Sequence, residues 1–118
     1  MSDLLLRLRE ANRSRVVRWH GPDSVPWTGA DWSNAMCGEA GEAANVVKKL
    51  RRAETGARND GDPDRIVLCA RLGAELADTI IYADLLADHY GIDLTRHIMM
   101  KFDLVSERMG FPERLGVG

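Results

Sequence analysis

Two short acidic signatures carry the chemistry of this chain: Gly38-Glu39-Ala40-Gly41-Glu42 and Glu75-Leu76-Ala77-Asp78. Each sets two carboxylates at i and i+3, which on a helix places them side by side on one face. Trp32, Ala35, Ala43, Val46 and Leu50 recur at helical spacing, and Glu39 lies in the middle of that apolar stripe. Arg71, Glu75, Asp78, Tyr82 and Leu85 form a second stripe. A charge buried without a partner is costly, and converging carboxylates repel one another, so such a cluster calls for a cation. Oxygen-only ligands select a hard ion, Mg²⁺ by default with Mn²⁺ as a substitute. The bundle lacks Glu-x-x-His pairs, and His20, His89 and His97 are not at ligand spacing with these acids, which argues against an oxygen-activating centre. The plainer reading is a pair of solvated acidic faces.

The elements that must position these acids are helices. The periodicity predicts spans of about 3–18, 31–53, 64–90 and 93–109. In the first, Leu4, Leu5, Leu8 and Val16 are the expected anchors. Asp31 is the expected N-cap of the second. Asp62-Pro63 supplies a cap and a first-turn proline for the third. Gly91 fits the position after that helix, and Asp93 caps the next. The third helix is apolar over most of its surface from Leu76 to Ala87, as befits a central member. Ile98, Phe102 and Val105 are the expected buried face of the fourth, which stops at Gly110-Phe111-Pro112. A short connection makes the second and third helices antiparallel and sets their acidic pairs opposite each other. No segment shows strand alternation, so the expectation is an all-α four-helix bundle.

At 118 residues the chain reads as a single domain, 1–118, with 45% hydrophobic and 29% charged residues. A net charge of −2 gives no polyanion-binding surface, and Lys48, Lys49, Arg51 and Arg52 form one local basic run. Nucleic acid is not an expected partner. No apolar run reaches membrane-spanning length, and charges interrupt the apolar N-terminal stretch, so neither a membrane nor a secretory signal is expected. Cys37 and Cys69 have no paired spacing and read as free thiols acting as small apolar residues, which places the protein in the reducing cytoplasm.

Taken in order, Glu39-x-x-Glu42, Glu75-x-x-Asp78, then Lys101-Phe102-Asp103 with Ser106-Glu107-Arg108, resembles the MazG-like all-α nucleoside triphosphate pyrophosphohydrolases, relatives of the dimeric dUTPases and dCTP pyrophosphatases. The likeness covers roughly residues 27–115. It implies that Glu39, Glu42, Glu75 and Asp78 bind Mg²⁺ and are the catalytic acids, and that Lys101 holds phosphate. It also implies a homodimer or homotetramer with active sites near the pairing surface. The implied reaction is nucleoside triphosphate + H₂O → nucleoside monophosphate + pyrophosphate, in clearance of the nucleotide pool. Many members carry Asn where this chain has Asp103, so Asp103 is expected on ribose or on a metal-held water.

Other residues are assigned by position. Lys101 and Arg108 stand two turns apart on one face and suit a triphosphate tail. Lys49 leans toward the acid face and ranks below Lys101. Glu39 has the most apolar stripe, which fits a general base. Trp27, Trp32 and His20 are candidates to stack on a base, with Trp32 also fitting the core. Two rival readings stand beside this one: phosphoribosyl-ATP hydrolysis on the same scaffold, and a non-catalytic helical regulatory or binding module. Base and sugar preference stay open.

Overall fold

The computed structural model describes residues 3–116, and among them the only regular secondary structure is helical. Helix α1 spans Leu4–His20, α2 Gly29–Thr55, α3 Arg65–His89 and α4 Leu94–Met109. The class is all-α, as expected. No helix among the described residues is long and apolar enough to cross a membrane.

Two helix starts differ from the expectation. Helix α2 begins at Gly29, two residues before Asp31, with Thr28 at the N-cap. The Thr28 side chain accepts from the Asp31 N–H at 3.2 Å and the Asp31 carboxylate accepts from the Thr28 N–H at 2.8 Å, a reciprocal box that uses Asp31 at the third helical position. Helix α3 is capped by Asp64, which accepts from the Val67 N–H at 3.0 Å. Asp62 is spent elsewhere. It receives two Arg52 guanidinium bonds at 3.2 Å each and the Asn59 N–H at 3.1 Å, closing the loop between α2 and α3. Gly91 does take positive φ after α3 (67°), and Asp93 caps α4 through the Arg96 N–H at 3.1 Å.

The densest packing in the molecule lies between α2 and α3. Trp32, Ala43 and Leu50 from α2 are buried against Leu68, Leu85 and Ala87 from α3. Helix α1 lies on α3, and its inner face is polar at the centre. Leu5, Leu8 and Val16 are half-buried, Leu4 is exposed rather than anchored, and the buried residue is Asn12. The Asn12 amide donates to Asp84 Oδ2 at 2.9 Å and to the Ile81 carbonyl at 3.3 Å. Arg9 donates to Asp84 Oδ1 at 2.9 Å and to the Ile92 carbonyl at 2.8 Å. One turn on, Arg13 grips Asp88 through Nε and NH2 at 2.8 to 3.1 Å. A fully satisfied buried network of this kind fixes one register of α1 on α3, because sliding by a turn would strand Asp84 without donors.

Helix α4 departs from the expected packing. Ile98, Phe102 and Val105 are 41%, 43% and 44% exposed, and Ser106 is its buried residue. Among the described residues the helix rests on α1, and most of its residues are exposed. The radius of gyration is 17.9 Å, against about 13 to 14 Å for a compact domain of this length. Cys37 and Cys69 are free, and both are exposed rather than packed.

Replacing Asp84, itself 1% exposed, with Ala removes the carboxylate that Arg9 and Asn12 share and leaves each only its backbone carbonyl acceptor, and should cost about 3 to 5 kcal/mol in denaturant unfolding. The Arg13 guanidinium holds the Asp88 carboxyl below the ordinary carboxylate range. A depressed acid stabilises the fold above its unfolded pKa, and that stability is lost as pH falls through the folded value. Asp88→Asn should therefore be less stable than the parent at neutral pH, and the two unfolding curves should converge in strong acid.

Candidate metal centre

The antiparallel run of α2 and α3 brings the two acidic motifs together. Glu39, Glu75 and Asp78 each present a carboxylate oxygen, and the three atoms lie within 4.8 Å of one another. Glu39 and Glu75 are half-buried, and the Oε2 atom of each is out of contact with solvent and has no hydrogen-bond partner. A buried polar atom without a partner is uncommon in a folded protein because it forfeits its hydration for nothing. Two such atoms, both from carboxyl groups of the same cluster, make it a candidate cation site. The donor set is oxygen throughout, which suits Mg²⁺ or Mn²⁺.

Glu42 stands at the exposed side of this group. Its carboxyl is set against that of Glu75, which pushes its proton affinity up, while contact with Glu39 offsets this in part and the charge of Asp78 adds to it. All four acids thus feel one another.

The aromatic residues before the motif also converge. The ring centroids of His20 and Trp27 are 5.3 Å apart, Trp27 and Trp32 are 4.6 Å apart, and Trp32 and Tyr82 are 6.3 Å apart. Together with Val16, Leu85 and Asp88 they border a cavity of about 800 Å³ between α1, the loop after it, and α3, with Tyr82 just behind Trp32. Trp32 serves both expected roles, since it is 6% exposed and also forms a cavity wall. Helix geometry links the cavity to the acids. Trp32 precedes Glu39 by two turns on α2, about 10 Å along the axis, and Tyr82 follows Asp78 by one turn on α3.

The cationic residues are not drawn into this cluster. Lys101 lies on α4 in a separate cleft of about 490 Å³ shared with His97, Leu104, Glu107 and Arg114. Arg108 is exposed near the end of the same helix. Asp103 borders that cleft and accepts the Leu115 N–H at 2.7 Å, which ties the residues after α4 back onto it. Lys49 is half-buried, and its charge acts on Asp62 at the loop end of α2. Residue-by-residue reading also missed three neighbours of the cavity: Arg13, Asp88 and His89. Arg13 and Asp88 have no motif. Their signal is a complementary charge pair at positions where two helices meet, which becomes visible only once α1 is docked on α3.

No protein-family model matches the sequence, and comparison with curated proteins and with solved structures finds no match. The likeness to MazG-like enzymes therefore rests on the motif residues themselves.

Proposed function

We propose that this protein is a Mg²⁺-dependent nucleoside triphosphate pyrophosphohydrolase of MazG-like type, releasing nucleoside monophosphate and pyrophosphate. The observation that carries this reading is the pair of buried, unpartnered oxygens of Glu39 and Glu75 beside Asp78 and near Glu42, two helical turns along α2 from Trp32 in the wall of an aromatic cavity. Glu39, Glu42, Glu75 and Asp78 would hold Mg²⁺, which would supply charge neutralisation of the triphosphate oxygens. A carboxylate of the cluster takes the proton of the attacking water. The water oxygen bonds to the α-phosphorus as the bridge to the β-phosphate breaks, and pyrophosphate carries away the released electron pair. Trp27, Trp32 and His20 pack against the base, and their rigid walls keep the α-phosphorus near the acids. The rival reading of a binding module in which the acids form structural ion pairs is disfavoured, because none of the four has a cationic partner among the ion pairs of the described residues.

A second copy of the chain belongs to the proposal. Leu76 and Ile80 on α3 and Ile98, Phe102 and Val105 on α4 are each at least 41% exposed. A stable interface needs about 800 Å² per partner, and these faces can contribute toward it. Lys101 and Arg108, on the helix that reaches away from the acids, are the residues such pairing could return to a phosphate tail. Sedimentation at micromolar concentration should show a dimer or larger species. A stable monomer would contradict the assembly.

Glu42→Ala and Asp78→Ala should each abolish Mg²⁺-dependent conversion of a nucleoside triphosphate to monophosphate and pyrophosphate. Both variants should remain folded without metal and match or exceed the parent in thermal stability, since each removes one of a set of repelling charges. Lys101→Ala should raise KM more than it weakens metal binding. Orthophosphate released in place of pyrophosphate would mean attack at the γ-phosphorus and a different enzyme. Turnover of phosphoribosyl-ATP in preference to every simple triphosphate would select the histidine-pathway reaction instead.

A further inference from the structure

We infer that the Arg13–Asp88 ion pair is the base-reading element of the aromatic cavity, with Asp88 accepting from the base edge and Arg13 donating to it. This inference rests on the reading of the cavity as a nucleoside pocket. Both residues border the cavity as its one charged pair, and apart from His20, Ser24 and His89 the remaining side chains of the wall are apolar or aromatic. Apolar and aromatic walls hold any flat ring and cannot tell one base from another, so discrimination has to come from the polar groups placed among them.

The pair is built for that purpose. Arg13 spends its Nε and NH2 groups on Asp88 at 2.8 to 3.1 Å, which leaves the NH1 end of the fork unspent. Asp88 Oδ2 receives Nε alone, at 3.1 Å, and so keeps acceptor capacity. Because Arg13 holds the carboxyl below the ordinary carboxylate range, Asp88 is an acceptor at neutral pH. The wall therefore offers a fixed donor beside a fixed acceptor, the complement of a base edge that presents an N–H next to a carbonyl or ring nitrogen. Asp88 follows Asp78 by ten residues on α3, about 15 Å along the axis, so a base at Asp88 and a phosphate tail at the acidic cluster would lie along one helix. The base is directed to Asp88 and the triphosphate to the acidic cluster.

The experiment uses two readouts on the full chain. Binding of cytidine, uridine, adenosine and guanosine without metal is followed by quenching of tryptophan fluorescence. KM is measured for the four corresponding triphosphates with Mg²⁺. In Asp88→Asn the spread of affinity between the preferred and the poorest base should shrink about tenfold, one good charged hydrogen bond's worth of discrimination. Arg13→Lys, which keeps the charge and loses the fork, should change the order of preference while retaining the docked α1. A structural role alone would weaken all four bases by the same factor and leave their ranking intact, and that result overturns the inference. Equal ranking in both variants with turnover preserved would overturn the base-reading pair and leave the pyrophosphohydrolase reading standing. Base-selective nucleoside binding with no turnover of any triphosphate would do the reverse.

Discussion

The structure turns on the cost of holding negative charge in an apolar groove. Helices α2 and α3 pack along stripes that would make an ordinary hydrophobic seam if Glu39 and Glu75 were leucines. Instead each buries an oxygen with no hydrogen bond to offset its lost hydration. Neither helix can rotate to relieve this, because Trp32, Ala43 and Leu50 on one and Leu68 and Leu85 on the other are buried in the same seam. The apolar contacts therefore hold the acids in place, and a bound cation would convert their mutual repulsion into a rigid set of ligands. Stability is conceded at one spot, as is expected where a protein keeps a functional site.

The second dependency is the docking of α1. A helix with Leu5, Leu8 and Val16 half-buried has little apolar area to hold it, and the remaining hold comes from Asp84 and Asp88 on α3 meeting Arg9, Asn12 and Arg13. Such contacts are directional where hydrophobic ones are not, so they set where α1 ends as well as whether it binds. Its end carries His20 to within 5.3 Å of Trp27 and closes one side of the aromatic cavity. Buried polar groups far from the acids thus shape the proposed nucleoside pocket.

Helix α4 shows the opposite balance. Its apolar residues recur around much of its circumference, and within one chain they meet little beyond α1. A helix of sixteen residues is marginal in water without tertiary contacts, so its exposed face calls for a partner surface. The pairing proposed for the chain would cover that face and, in the same step, decide where Lys101 and Arg108 stand relative to a phosphate tail.

What the sequence determined by itself is what repeats at short range. Helical periodicity marked all four helices, with their ends misplaced by at most two or three residues, and i, i+3 spacing put each acidic pair on one face. Local caps were read less well, since Asp31 and Asp62 are each one of several nearby acids and only backbone geometry shows that Thr28 and Asp64 hold the cap positions. The tertiary structure decided everything that needs two helices at once. The meeting of Glu39 with Glu75 and Asp78 was foreseeable from a short connection between amphipathic helices, because that connection leaves few ways to pack. The Arg9–Asn12–Asp84 network and the Arg13–Asp88 pair were not, because their members are 72 to 75 residues apart and carry no pattern of their own. The exposed face of α4 was hidden for a related reason: a stripe of Ile98, Phe102 and Val105 states that a face must be covered, and says nothing of whether its own chain or another covers it.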